Sequence, residues 1–555
     1  MEFGILCNGN ILQQWQLESI RLLVGAGHTC KLLVVNATPV AGQGFLQKWV
    51  HYPWSKLLCR AWFRYRIKPE AKNPADINTL LPDLPAVYCV TTFKGISEYF
   101  SPADVAHIKS YNLDFLLRFG FGIIKGDILD AATYGVWSYH HDDDRKYRGV
   151  PTGFWEIMFG DSVNAVVLQR LTPHIDSGII LHKAYFATIN HSWEANLNNI
   201  LQRSIGFPLQ VCRRIQNGDT EFLTVAKAPE TKIYKLPGNF KMLWFILKVT
   251  FNKLKFHFHE LFRAEKWQVG LLNPGTEPFI KPGEQNIPEP QWIPLPGGKS
   301  VYHADPSGFI HQGNIHILCE EYDYGMAKGI IVSLKLDAAT KKILRKVVAL
   351  EKDYHLAFPF VFGYENNFYC IPENSEGGNV DLYLYDVETG KLTFQKTLVP
   401  GLKAVDSTLF YHNNLWWLFF TDKAATNERL HAWYSIDING PFMPHANNPV
   451  KVDIQSSRPA GNPFMQDGML LRPAQDCSVR SGRRIYINQV VKLSKTEFEE
   501  SEYAVLNPSP TSVYRDGMHT FNLGNGLIII DAKRECFIWQ SFAKRIVEKL
   551  KRFIK

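Results

Sequence analysis

Between residues 300 and 535 one short pattern returns five times: a turn, then an aromatic or aliphatic strand. The segments are HQGNIHILCEE, YENNFYCIPEN, YHNNLWWLFFT, MQDGMLLRPAQD and NLGNGLIIIDA. Their turn residues fall at Gly313, Asn366, Asn413, Gly468 and Asn525, at intervals of 53, 47, 55 and 57. A single unit of this size cannot bury its own apolar face, so copies must stack. Strand character repeating about every 50 residues predicts an all-β five-bladed propeller, one four-stranded sheet per repeat. A short polar element precedes each turn: HADPSGFI, AFPFVF, VDSTLF, AGNPFM and GMHTFN. The innermost strands of a propeller line its channel, so these elements aim Asp305, Asp406 and His519 at one site. Any one aspartate could merely start a turn; recurrence at equivalent positions argues for the set.

The first 230 residues follow another rule. EFGILCNG and CKLLVVNA read as buried strands, and LQQWQLESIRLLVGAG between them has helical spacing and a glycine stop at Gly27. FSPADVAHIKSY opens a helix with Ser-Pro, and LDFLLRFGFGII is a strand running into a glycine turn. This β-α-β order predicts a doubly wound parallel sheet, whose ligands bind beyond the C-terminal strand ends. The expected organisation is multidomain: an α/β domain over 1–225, a helical segment and Pro/Gly-rich linker over 226–298, the propeller over 299–538, and a basic helix over 539–555. In that last helix Phe542, Ile546, Leu550, Phe553 and Ile554 fall roughly on one face. Peripheral contact with an anionic membrane and plain packing both remain open for it.

A chain of 555 residues is too long for one core, and 46% hydrophobic with 21% charged residues is ordinary globular material. The net charge of +8 does not imply nucleic acid, and no RNA-recognition signature occurs, so no nucleic-acid partner is expected. Nine scattered cysteines without a CxxC pair argue against structural zinc and for reduced thiols in a cytoplasmic protein. MEFGILCNG is not a secretory signal, and no long uncharged apolar run predicts a membrane span.

The densest polar stretch is WSYHHDDDRKYRG, residues 137–149. Adjacent histidines on a strand point to opposite faces, and three consecutive aspartates cannot converge on one ion, so no metal is expected. Lys146 and Arg148 suit an anionic substrate. Proton transfer needs a partner, and the turn at Asp176 in HIDSGIIL supplies a carboxylate that could orient a histidine.

With these motifs in order, residues 1 to about 220 resemble the folate-dependent formyltransferases, which include methionyl-tRNA, glycinamide ribonucleotide and sugar N-formyltransferases. GVWSYHHDDDRKYRG aligns with the loop that follows the family's Asn-x-His strand and closes on Tyr-Arg-Gly. The resemblance implies that His140 is the catalytic histidine and Asp176 the catalytic aspartate. Ser138 stands where the family has asparagine, so one oxyanion donor is altered. Arg118, Phe119, Gly120, Phe121 and Gly122 match the folate-binding strand and loop, implying 10-formyltetrahydrofolate as cofactor. His141, Asp142, Asp143, Asp144, Lys146 and Arg148 then fall on the acceptor side.

Residues 300–535 resemble the propellers of arabinanase-type glycosidases, and more closely the N-terminal part of plant glucosamine inositolphosphorylceramide transferases. FPFVF, IPEN, DSTLF, WWLFFT, RPAQD and HTFN carry the second likeness. In that group glycosyl transfer belongs to a separate domain, which this chain is not expected to carry. The expected propeller site comprises Asp305, Glu373, Asp406, Arg458, Arg472, Asp476 and His519, with Trp416 and Trp417 nearby. The resulting expectation is an N-formyltransferase for an amino-sugar or nucleotide-sugar substrate, cytoplasmic or peripheral at the inner membrane surface, with carbohydrate at the propeller. A non-catalytic carbohydrate-binding protein and a propeller glycosidase are the alternatives.

Overall fold

The computed structural model describes residues 1–39, 54–174, 178–224, 232–273, 280–296, 298–524 and 526–554, with backbone only from 548. The chain forms two compact units, Met1–Leu254 and Lys255–Lys555.

The first unit is built on a seven-stranded sheet. Its strands are β1 (Glu2–Cys7), β2 (Thr29–Asn36), β3 (Ala86–Cys89), β4 (Phe115–Arg118), β5 (Val136–His140), β6 (Val163–Arg170) and β7 (Ile179–Ala187), in the order β7-β6-β5-β4-β1-β2-β3. Strands β5, β4, β1, β2 and β3 run parallel, as the β-α-β pattern predicts. Strand β6 runs antiparallel to both β5 and β7, a departure from an all-parallel sheet. Between β6 and β7 the reason is length: residues 171–178 are too few for a crossover. Helix α1 (Gln14–Gly25) turns Trp15, Leu17, Ile20 and Leu23 inward, and Gly27 follows it at φ +85°. Helix α2 (Pro102–Lys109) starts where the Ser101 hydroxyl accepts from the Asp104 amide at 3.1 Å. Across the sheet, Phe3, Phe115 and Trp137 stack at 5.3 and 3.9 Å, clamping β1, β4 and β5. Helices α3 (Trp193–Arg203) and α4 (Phe207–Gln216) follow, and α5 (Asn239–Phe262) runs across the division between the units.

The second unit holds five sheets of four or five strands, a propeller-like set. Their opening hairpins are Val301–His311 with Asn314–Asp323, Ala357–Tyr364 with Asn367–Glu373, Ala404–His412 with Leu415–Asp422, Phe464–Gln466 with Met469–Gln475, and Phe521–Gly524 with Leu527–Cys536. Each turns on two residues. Both take positive φ in Gln312-Gly313, Glu365-Asn366, Asn413-Asn414 and Asp467-Gly468; in the fifth turn Gly526 does, and Asn525 lies outside the described residues. That geometry matches the twist of antiparallel strands and selects Gly and Asn, which is why the repeat shows in the sequence.

The segment expected as linker contains an integral strand. Ala264–Leu272 pairs along its whole length with Leu527–Cys536, so the start and end of the unit share one sheet. Alternation in EKWQVGLL, with Trp267, Val269 and Leu271 buried, was the readable sign. Gly283–Asn286 likewise joins the fourth sheet, parallel to Phe498–Asn507. All nine cysteines are free, and among the described residues no helix is long and apolar enough to cross a membrane. A final helix, α6 (Trp539–Ile554), stacks Phe542 on Phe262; Leu550, Phe553 and Ile554 lie outside the described side chains.

Candidate functional site

In the first unit the site forms where the strand order reverses, at the C-terminal ends of β1, β4 and β5. Two hollows of about 150 and 220 Å³ share Arg118, Ser138 and Tyr139 in their walls. The smaller also takes in His140, Gly122, Ile123, Ile124, Gln169 and Gly178. Ser138 and His140 stand two apart on β5 and face it together, as strand alternation requires. Asp176 lies outside the described residues.

Arg118 organises this end of the sheet. Its Nε donates to Ser138 Oγ at 3.1 Å, and its guanidinium also donates to the carbonyls of Phe121 and Gly122. The amides of Phe119 and Gly120 both donate to the Leu6 carbonyl at 2.8 Å, Phe121 to Asn8 Oδ1 at 3.0 Å, and Gly122 to Glu98. The loop expected to offer its backbone to a folate therefore spends these amides on its own fold. A Cβ on Gly120 would come 2.4 Å from the Cys7 carbonyl carbon, so only glycine lets the loop pass over β1. Among the loop's residues, Arg118 and Gly122 line the smaller hollow, together with Ile123 and Ile124 beyond it.

Of the residues expected on the acceptor side, His141 lines the larger hollow and the others are engaged in pairs or buried. His141 faces away from His140: it stacks on Tyr139 at 5.3 Å, packs edge-on against Trp15 and approaches Ser204 at 3.5 Å. Burial, with His140 and Lys72 nearby, lowers its pKa to about 3, so it is neutral. Asp142 is buried and accepts from the Gly153 amide, and burial with Glu156 nearby pushes its pKa well above the usual carboxylate range. Asp143 and Asp144 grip Lys183 at 2.8 and 2.6 Å. Lys146 pairs with Asp161 at 3.0 Å. Arg148 is buried in a two-residue strand paired with Ile233–Tyr234. A polar string therefore becomes a scaffold, because its charges find partners distant in sequence.

In the second unit, the first strands of sheets one, two and three share a bulge, at 304–307, 357–360 and 405–408. Asp305, Phe358 and Asp406 occupy it at φ +51°, +39° and +52°. The bulge re-aims their side chains. Asp305 approaches His519 Nε2 at 3.5 Å, and His519 Nδ1 pairs with Asp531 at 2.7 Å. Trp267 stacks on His519 at 3.7 Å. Arg458 Nε donates to Asp406 at 2.6 Å, and Gln475 Nε2 donates to the same carboxylate at 2.7 Å. Glu373 accepts from Ser375 at 2.7 Å.

Charge balance decides the protonation. Burial, despite His519, raises Asp305 to about 6, and burial with Asp406 raises Glu373 to about 8. Glu320 rises well above its usual range through burial and Asp305, and its Oε1 lies 3.7 Å from His355 Nε2. Asp305, Glu373, Asp406, Arg458 and His519 are thus brought into one electrostatic cluster. Arg472 and Asp476 are not part of it. Arg472 is 1% exposed and bound to Glu500 at 2.6 Å; Asp476 is bound to Arg484 at 2.9 Å. Trp417 is core, and Trp416 packs on Tyr364.

Glu320, Gln475 and Asp531 were missed by sequence reasoning. Glu320, Glu373 and Gln475 each lie seven residues past Gly313, Asn366 and Gly468, a register the repeat already contained. No metal was expected in this chain, yet Asp305, His519 and Asp531 bring ligand atoms within 4.8 Å of one another. The short His519–Asp531 contact accounts for this grouping as an ion pair.

The family model described as glucosamine inositolphosphorylceramide transferase 1, N-terminal, matches residues 295–520. A protein of that name from Oryza sativa subsp. japonica is 34% identical over 216 residues, 37% of this chain and 29% of the relative. The Arabidopsis thaliana protein of the same name is 32% identical over 239 residues, 41% of this chain and 30% of the relative. The chain spans under a third of the length of these relatives. A methionyl-tRNA formyltransferase from Agathobacter rectalis is 29% identical over 83 residues, 15% of this chain and 27% of the relative. Among solved structures, a Coprinopsis cinerea α-L-arabinofuranosidase catalytic domain covers 49% of this chain and 98% of its own at 15% identity, with a TM-score of 0.32. That score carries no argument. The chain thus combines similarity to a carbohydrate-related transferase with weaker similarity to formyltransferases.

Proposed function

We propose that the first unit transfers a formyl group from 10-formyltetrahydrofolate to the amine of an amino sugar or sugar-linked acceptor. In this reading the second unit is a five-bladed propeller that binds carbohydrate. The observation that carries the reading is that Ser138 and His140 share one hollow at the strand ends with Arg118 and Gly122.

A flat, largely apolar group with hydrogen-bonding edges suits a wall made of Ile123, Ile124, Leu171, Gln169 and Thr172. The cofactor supplies the formyl carbon. When an amine attacks a formyl group, negative charge grows on the carbonyl oxygen and must be met by placed donors. His140, which lines the hollow together with His174, is the side chain assigned here to meet that charge. Ser138 Oγ already accepts from Arg118, which leaves its own hydrogen free to donate into the same space. Arg118 thereby both fixes the loop and orients the hydroxyl that stands in the asparagine position.

The test is transfer from 10-formyltetrahydrofolate to nucleotide-linked amino sugars. His140→Ala should lower kcat about 100- to 10,000-fold, with carbohydrate binding by the second unit unchanged. Absence of folate binding by calorimetry to the wild-type chain would reject the reading. The plant relatives' shared name, a glucosamine-transferring enzyme, supports a sugar ligand at the Asp305–Asp406–His519 cluster.

A further inference from the structure

Helix α5 carries a feature that formyl transfer does not use. On its inner side, within the first unit, Met242 and Phe245 are buried, with Phe245 stacked on Phe154 at 4.1 Å. On the other side Phe240, Leu243, Trp244, Leu247, Phe251 and Leu254 are each at least half exposed, Phe240 to 85%. At about 100° per residue these six positions fall within one stripe roughly 100° wide. The helix is therefore apolar on its solvent side, the reverse of the arrangement that water favours.

The charges of this stretch have one sign, and Lys241 and Lys248 are the ones nearer the stripe. From 239 to 254 the ionisable residues are Lys241, Lys248 and Lys253, with no acid among them. At the head of the helix an open groove between Trp155, Phe159 and the 232–241 segment adds Lys232 and Lys235. Asn239 ties this end to a second exposed apolar run: it accepts from the Leu58 amide at 3.1 Å and donates to the Trp54 carbonyl at 2.9 Å. Trp54, Leu57 and Leu58 are 49, 38 and 39% exposed, beside Lys56 and Arg60. Apolar stripe, aromatic residues and lysines together are what an interfacial helix needs. The helix is not apolar enough to cross a bilayer.

We propose that this face of the first unit binds the surface of an anionic lipid bilayer, with α5 lying in the plane of the interface. Leu247, Phe251 and Leu254 enter the acyl boundary, and the groove lysines meet lipid phosphates. The proposal stands independently of formyl transfer.

The experiment is sedimentation of the full chain with phosphatidylcholine vesicles, with and without phosphatidylserine. Wild type should bind the phosphatidylserine vesicles and lose binding at high salt. The double variant Leu247→Glu/Phe251→Glu should weaken binding at least about tenfold with unchanged circular dichroism. Lys235→Glu/Lys241→Glu, which leaves the stripe intact, should weaken it as well. Brominated lipids should quench wild-type fluorescence more than that of Trp244→Phe. No sedimentation of wild type with anionic vesicles overturns the proposal, as does equal binding by the Leu247/Phe251 variant. A wild-type dimer that this variant converts to monomer, without vesicle binding, assigns the stripe to a second copy and overturns it too.

Discussion

His141 in the first unit and His519 in the second both sit where burial opposes a charge, and they end on opposite sides of neutrality. Around His141 the neighbours are His140 and Lys72, so burial and charge act together and the ring stays neutral, with a pKa lowered to about 3. Around His519 burial also pulls down, but Asp531 and Asp305 outweigh it and the pKa rises. The difference lies in the neighbours rather than in the imidazole. At these two positions the first unit keeps a buried ring neutral, whereas the second sets it between two carboxylates.

The strongest way to break that comparison is to remove one partner of a fully enclosed pair in the second unit. Glu500→Ala strands Arg472, which is 1% exposed, and should cost about 3–5 kcal/mol in urea unfolding. An effect near zero would show that pairing is not what holds the second unit's charges.

Glu373→Gln sharpens the same contrast through pH. The folded pKa of Glu373 lies near 8, above an unfolded value near 4.5. The unfolded chain therefore releases this proton first as pH rises. The stability it contributes is present below about pH 4.5 and lost on the way to pH 8. The glutamine variant should be more stable than wild type by about 2–3 kcal/mol at pH 8.5, and the gain should vanish at pH 4.5. Urea midpoints at the two pH values check this.

His141→Phe tests the other unit, with the opposite sign. A folded pKa lowered to about 3 means the unfolded chain takes the proton first as pH falls. Stability is then present above about pH 6.5 and lost toward pH 3. The variant keeps a ring against Tyr139 and Trp15 and should reduce the acid loss by about 1–2 kcal/mol. His182, also lowered to about 3, maintains the rest of the acid sensitivity.

Two smaller effects mark the floor. Gly313→Ala meets nothing within 4 Å, so at φ +71° its cost is backbone strain alone, about 1 kcal/mol in thermal unfolding. Lys146→Ala removes a pair whose lysine is 55% exposed and should cost about 0–1 kcal/mol by the same measurement.

Much of the site chemistry was readable only as residue type. Asp305, Asp406 and His519 were legible because they sit in the short polar elements six to eight residues before repeated turns, and the repeat transmits position. Ser138 and His140 were singled out by the resemblance of their loop to the formyltransferases, and strand alternation puts i and i+2 on one face. Arg472 and Asp476 looked equally suitable in sequence, yet Glu500 claims the first from two strands away in the same sheet and Arg484 claims the second from the far end of the 477–483 turn. Asp531 was passed over because it stands in no distinctive motif, and Glu320 because its register shows only when the repeats are laid over one another. They matter only once the second strands run toward the cluster.

The sequence alone determined what is local: the strands and helices of the first unit, and the hairpins of the second. Turn residues with positive φ and apolar periodicity act within a few residues of chain, so they show in the letters. The tertiary structure decided which charges meet, and hence which are protonated. Asp305 and Asp531 are 226 residues apart, and they touch because Leu527–Cys536 is locked to Ala264–Leu272 near the start of the same unit. Electrostatic energy depends on separation and burial in space, and neither quantity is written along the chain.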